Sequence, residues 1–291
     1  VPRVDTGEVE IFYESFGEGE PLVLIMGLGA QMVLWDETFC RRLADAGFRV
    51  IRFDNRDVGE STRLDHLGMP RLRRQLLRWT VGLSVQSAYS LVDMAGDVAG
   101  LLDALDISSA HVVGASMGGM IAQHFAIEFP SRVRSLTSIM SHPGDRLSAF
   151  PKPEALGALM KPPAKTAEQA EQRLLDFFSV VGGRAYEGDE TMVRAQARRA
   201  FERGISPAGF ARQFNAVIAA KDRRASLAKL RVPSLVIHGT EDPLVRPRGG
   251  FQTAKALRDS ELLLIDGMGH HIPSMHWGRV IKAVAGVAER A

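Results

Sequence analysis

Serine, an acid and histidine are the side chains that together can attack a carbonyl carbon without a metal, and this chain places one of each after an apolar run. The serine is Ser116, in Val112-Val113-Gly114-Ala115-Ser116-Met117-Gly118. The acid lies in His238-Gly239-Thr240-Glu241-Asp242-Pro243, and the histidine in Gly267-Met268-Gly269-His270-His271. A neutral hydroxyl is a poor nucleophile near pH 7. Imidazole titrates near neutrality, so it can take the proton and later return it to a leaving group. A strand–turn–helix context gives Gly-x-Ser-x-Gly its meaning, and an apolar strand and a helix-period segment flank Ser116. A serine at such a sharp turn needs small neighbours two positions away, and Gly114 and Gly118 stand there.

The positioning elements follow from hydrophobic periodicity. Strands are predicted at Val9–Glu14, Leu22–Met26, Phe48–Phe53, Val112–Ala115, Val133–Met140, Ser234–Ile237 and Glu261–Ile265. Helices are predicted at Trp35–Ala46, Leu72–Trp79, Ser90–Leu105, Met117–Phe129, Phe251–Leu257 and Trp277–Ala288. Strand and helix alternate, which implies a mainly parallel sheet with helices on both faces. Between His142 and Leu230 the pattern changes. Prolines 143, 151, 153, 162 and 163 break its start, and helical runs follow at Thr166–Val181, Glu190–Arg203 and Pro207–Ala219. The expected organisation is a core of residues 1–142 and 229–291 with a helical cap inserted at 143–228. Ser116, the acid and the histidine then all fall at the carboxyl ends of strands, the edge where open α/β sheets build sites.

Composition narrows the function. The chain has 291 residues, 45% of them hydrophobic, and a formal net charge of +2. That allows one large α/β domain with a full core and does not point to nucleic acid. A single cysteine, Cys40, excludes an internal disulfide framework and zinc-finger spacing, and is read as a buried, inert thiol. No His-x-x-x-His or paired-acid cluster calls for a metal. The first residues lack an apolar signal region, and Leu22–Trp35 is too short to span a bilayer. The expectation is a cytoplasmic monomer or homodimer acting on a small molecule. The arginine-rich Arg71–Arg78 segment reads as a solvated face or a pocket cover rather than a membrane contact.

The motifs Met26-Gly27-Leu28-Gly29, Asp54-Asn55-Arg56-Asp57-Val58-Gly59-Glu60-Ser61, Gly114-Ala115-Ser116-Met117-Gly118, His238-Gly239-Thr240-Glu241-Asp242-Pro243 and Gly267-Met268-Gly269-His270 together resemble the α/β-hydrolases, over nearly the whole chain. Within them the sequence is similar to bacterial carboxylesterases and to the aclacinomycin methylesterase group. The resemblance implies Ser116 as nucleophile, Asp242 as triad acid and His270 as general base. It implies the backbone N–H groups of Leu28 and Met117 as the oxyanion hole. Met26 stands where many relatives carry histidine; the donor there is backbone, so the role survives. The Gly-Gly-Gly form of lipases is absent.

Glu241 is expected to point elsewhere on its turn, His271 to line the cleft, and His238 to support the acid loop. His111, His124, His142 and His276 are read as structural or surface residues, and Asp54 and Arg56 as bonding the loops that frame the site. Gly27 and Met120 are expected to touch substrate. The function expected is hydrolysis of carboxylic esters of small to medium apolar compounds through an acyl-enzyme, with no cofactor. Perhydrolysis or carbon–carbon bond hydrolysis on the same triad, or ligand binding with little turnover, are the alternatives.

Overall fold

The computed structural model describes residues 2–186 and 188–291. Eight strands run β1 (Arg3–Asp5), β2 (Glu10–Phe16), β3 (Glu20–Ile25), β4 (Phe48–Phe53), β5 (Ala110–Ala115), β6 (Val133–Ile139), β7 (Ser234–Gly239) and β8 (Ser260–Ile265). They form one sheet in the order β1-β2-β4-β3-β5-β6-β7-β8. β1–β2 and β2–β4 are antiparallel, and every later pair is parallel. The expected mainly parallel sheet is therefore present.

Alternation along the central strands divides the core in two, because successive side chains point to opposite faces. Val23, Ile25 and Val112 face α3 (Leu91–Ala104) and α4 (Met117–Glu128) in one cluster. Leu22, Leu24 and Val113 face α1 (Glu37–Asp45) and α11 (Trp277–Ala288) in another. Burial on both faces is what turns β3 and β5 into continuous apolar runs. Cys40 is buried in the second cluster, and burial pushes its thiol up to about 12.

Register sets the site's floor. Ile25 pairs with Gly114, Ala115 with Ile139, Ile139 with Ile237, and Gly239 with Ile265. The carboxyl ends of six adjacent parallel strands, β4 included, thus open on one edge, and loops leaving that edge converge.

The remaining helices are α2 (Leu72–Thr80), α5 (Pro153–Leu159), α6 (Ala167–Val181), α7 (Glu190–Glu202), α8 (Pro207–Ala219), α9 (Arg224–Leu227) and α10 (Arg248–Ala256). α5 to α9 all lie between β6 and β7 in the chain. Two short helices and one strand differ from the sequence reading. α5 lies in the stretch read as broken by prolines, yet Pro153 occupies its first turn, where no intrahelical N–H is needed. α9 is one turn long, and β1 is a three-residue edge strand; both are too short to carry a period. Among the described residues, no helix is long and apolar enough to cross a membrane.

Candidate active site

Ser116 sits at the joint between β5 and α4 with φ 56° and ψ −119°, a conformation that side chains rarely adopt. The neighbouring backbone explains the flanking glycines. A Cβ on Gly114 would lie 2.1 Å from Gly118 O, and one on Gly118 would lie 2.1 Å from Ile25 O. Ser116 N–H donates to Ile139 O at 2.9 Å, which fixes the turn to β6.

The acid loop follows β7. Asp242 is fully buried, and its Oδ1 accepts from the N–H groups of Leu244 and Val245, each at 2.9 Å. Its other oxygen, Oδ2, lies 2.7 Å from His270 Nδ1, and His270 Nε2 lies 2.9 Å from Ser116 Oγ. The carboxylate requires the proton on Nδ1. Nε2 is then an acceptor, and the Ser116 hydroxyl donates to it. The three expected residues thus form one hydrogen-bonded chain across three loops. His238 Nε2 donates to Val245 O at 2.7 Å, inside the acid loop, and burial pushes this imidazole below its ordinary value. Glu241 points away from the chain of bonds: it accepts from Arg184 N–H at 3.0 Å and pairs with Arg184 Nε at 3.2 Å.

The loop after β3 carries Gly27 and Leu28 beside the serine. A Cβ on Gly27 would lie 3.1 Å from Ser116 Cβ. This loop is held on two sides. Asn55 Nδ2 donates to Met26 O at 3.0 Å, and Gly29 N–H donates to Gln213 Oε1 of α8 at 2.8 Å. Met117 is the first residue of α4, so its N–H has no intrahelical acceptor. Among the described residues, neither Leu28 N–H nor Met117 N–H is taken by another acceptor.

Asp54 and Arg56 hold the surrounding loops. Asp54 accepts from Met32 N–H at 2.8 Å and Glu60 N–H at 3.0 Å and pairs with Arg203; burial still pushes its carboxyl upward. Arg56 pairs with Asp97 at 2.6 Å. Three residues of the helical segment that the sequence reading did not single out reach back to this frame: Arg203, Arg212 and Gln213. Arg212 pairs with Asp57, and Tyr89 Oη donates to the same carboxylate at 2.7 Å. Their partners lie more than a hundred residues earlier in the chain, so helical periodicity alone gave no signal for them.

Above Ser116 lies a cavity of about 770 Å³, lined by Gly27, Leu28, Met117, Met120 and His270 below. Its walls and roof include Leu76 and Trp79 of α2, Leu174 and Phe177 of α6, and Phe214 and Val217 of α8. The arginine-rich helix is therefore a pocket cover, with Leu72, Leu76 and Trp79 on the cavity side. His271 also lines the cavity, with its Nε2 3.2 Å from Asp189 Oδ2. Of the histidines read as structural, His111 is buried between Ser135 and Glu20, whereas His142 lines the cavity. Among the described residues, no cluster of histidine, cysteine and acid side chains has a metal-holding arrangement.

The pattern of the alpha/beta hydrolase fold matches residues 20–274. Rhodomycin D methylesterase DauP of Streptomyces sp. strain C5 is 28% identical, over 91% of this chain and 90% of its own length. The non-heme chloroperoxidase CPO-A1 of Kitasatospora aureofaciens is 25% identical, over 91% and 90%. The crystal structure of an enol-lactonase from Burkholderia xenovorans LB400 superposes with a TM-score of 0.73 at 23% identity, covering 99% of this chain and 100% of that one. The chain belongs to the α/β-hydrolase fold family.

Proposed function

We propose that the protein is a carboxylic ester hydrolase that works through an acyl-enzyme on Ser116, with His270 as general base and Asp242 as its orienting acid. The observation that carries this reading is the continuous bond chain from Asp242 through His270 to Ser116 Oγ, opening into an apolar cavity. The similarity to a methylesterase supports ester cleavage.

In the first half, Ser116 Oγ attacks the carbonyl carbon as its proton passes to His270 Nε2. The new imidazolium is stabilised by Asp242. The carbonyl oxygen becomes anionic between the N–H groups of Leu28 and Met117, and each such donor is worth roughly 10²–10³ in rate. Collapse breaks the ester C–O bond, and His270 returns the proton to the departing alcohol. In the second half, water attacks the acyl carbon, His270 takes its proton, and that proton returns to Ser116 Oγ as the acid leaves. No step needs a cofactor. A second reading is favoured by the similarity to a non-heme chloroperoxidase: hydrogen peroxide replaces water in deacylation and yields a peracid.

The substrate on this account is a small-molecule ester with an apolar acyl or alkyl group of small to medium size, met in the cytoplasm. A cavity of about 770 Å³ falls within the range of drug-sized pockets, roughly 300–1,000 Å³. Residues 143–228 act as a lid that sets substrate size, and α2 completes it. Chromogenic esters of short, medium and long acyl groups test both points, with and without hydrogen peroxide. Leu174→Trp and Val217→Phe narrow the cavity. They should shift preference toward shorter acyl groups by roughly tenfold or more per variant. Unchanged preference in both would remove the insertion as the specificity element.

A further inference from the structure

The base loop has a geometric problem that the sheet does not solve. β8 lies three places from β5 in the sheet order, roughly 14 Å away at the usual strand spacing. Residues Asp266–His270 must carry the imidazole back across β7 and β6 to reach Ser116. Such a loop has no strand ladder to hold it.

One side is held by the acid loop, where Glu241 N–H donates to Met268 O and Gly267 N–H to Thr240 Oγ1, each at 3.0 Å; the other side is held by the connection between α6 and α7. His270 N–H donates to Val181 O at 2.5 Å and Gly269 N–H to Gly182 O at 2.8 Å, while Ala185 N–H returns to Gly267 O at 3.0 Å. The two backbones touch. A Cβ on Gly269 would lie 2.0 Å from Val181 O; one on Gly183, where φ is +72°, would lie 2.4 Å from Gly267 O. Arg184, at the same turn, pairs with Asp266 at 2.6 Å and with Glu241 at 3.2 Å, joining the base and acid loops.

A second anchor lies just past the base. Asp189 is 4% exposed. It accepts from Ser274 N–H at 2.9 Å and Ser274 Oγ at 2.5 Å, and its Oδ2 lies 3.2 Å from His271 Nε2. The His271 ring packs on Phe178 at 4.5 Å and meets Tyr186 edge-on at 5.6 Å. The residue beside the base is thus held by two rings and a carboxylate of the helical insertion.

We infer that residues 181–186, at the end of α6, are a positioning element for His270 beside the acid loop, with Asp189 and His271 as positioning residues and Gly183 and Gly269 allowing the backbone contact. The inference rests on the reading of His270 as general base. This end of the insertion is then part of the base's support, not a flap free to leave it. Misplacing a reacting group by about 1 Å costs on the order of 10² in rate. Arg184 is 66% exposed and its ion pairs are minor contributors; Asp189 carries the larger effect.

The test uses the full chain. Asp189→Ala should lower kcat by about tenfold to a hundredfold with KM within about twofold. It should slow phosphonate labelling of Ser116 by the same factor. Asp189→Asn, which keeps an acceptor oxygen for Ser274, should recover most of both. His271→Phe keeps the ring on Phe178 but loses the N–H; it should lower kcat severalfold at unchanged KM, and it decides the matter should Asp189→Ala fail to fold. A folded Asp189→Ala with unchanged kcat, or a loss confined to KM, overturns the inference. So does a kcat loss without slower labelling. Ser116→Ala separates the two layers: turnover surviving in that variant removes the base assignment itself, whereas an inactive Ser116→Ala beside an unaffected Asp189→Ala removes only the support.

Discussion

The sheet edge and the helical insertion meet at one cavity, but they are held by different forces. Ser116 and Asp242 leave strands that are buried on both faces and bonded to the same strand, β6, between them. The insertion directs much of its apolar surface at the cavity, through residues such as Leu174, Phe177, Phe214 and Val217. Its own core is small: Ala155, Leu175, Phe178, Val181, Tyr186 and Val193. Its grip on the sheet combines a few apolar anchors, Ala216 and Leu227 among them, with polar ties: Arg203 on Asp54, Arg212 on Asp57 and Gln213 on Gly29. Helices that turn apolar side chains toward a cavity have less apolar surface left to pack against the sheet. Buried charges and amides then hold what hydrophobic contact does not.

The comparison breaks first at the acid loop. Asp242→Asn should lower kcat/KM by a factor on the order of 10²–10⁴, because the amide reverses the donor–acceptor relation with His270 Nδ1. Glu241→Gln, one residue away but bonded to Arg184, should change it by less than about tenfold. Similar losses in the two variants would defeat the choice of Asp242.

Breaking a polar anchor should cost stability instead of chemistry. Arg212 and Asp57 are both fully buried. Arg212→Ala leaves Asp57 without its cation and should destabilise the protein by about 3–5 kcal/mol. By contrast, Arg134→Ala removes an exposed partner of Glu20 at the sheet's other end and should cost under about 1 kcal/mol. Urea unfolding of the two variants gives the contrast directly, and equal effects would contradict the buried-tether account.

A smaller effect sharpens the boundary at His142, where β6 gives way to the insertion. Its Nδ1 accepts from Gly144 N–H at 3.0 Å, and burial pushes the imidazole down to about 3. An unfolded histidine titrates near 6.5. Between those values the unfolded chain binds a proton that the folded chain does not. The stabilisation is therefore fully present above about pH 6.5. It falls as the pH drops toward 3, by about 1.4 kcal/mol per pH unit. His142→Gln should remove that much from the acid-side slope of unfolding free energy against pH; an unchanged slope would show that His142 is protonated in the folded state.

The same division governs what could be read in advance. Apolar runs with glycine-bearing ends marked β3, β5, β7 and β8, and in the first three burial on both faces leaves that compositional trace. Ser116, Asp242 and His270 stand at three of those ends and were named with them. The insertion left only helical periodicity, which found α6, α7 and α8 but not what they touch. Gln213 and Arg212 sit mid-helix with no local signal of a partner more than a hundred residues earlier. The contact between Gly183 and Gly269 depends on two segments meeting in space. α5 was hidden because Pro153 opens a helix there instead of ending one.

The proposed chemistry turns on Ser116 as the nucleophile. The most direct measurement is treatment of the intact protein with a serine-directed phosphonate, followed by tandem mass spectrometry of the digest and an ester assay on the same sample. One adduct is expected, on Ser116, with loss of ester hydrolysis in step with labelling and neither adduct nor turnover in Ser116→Ala. An adduct on another residue that accompanies inactivation, or full ester hydrolysis by Ser116→Ala, would contradict it.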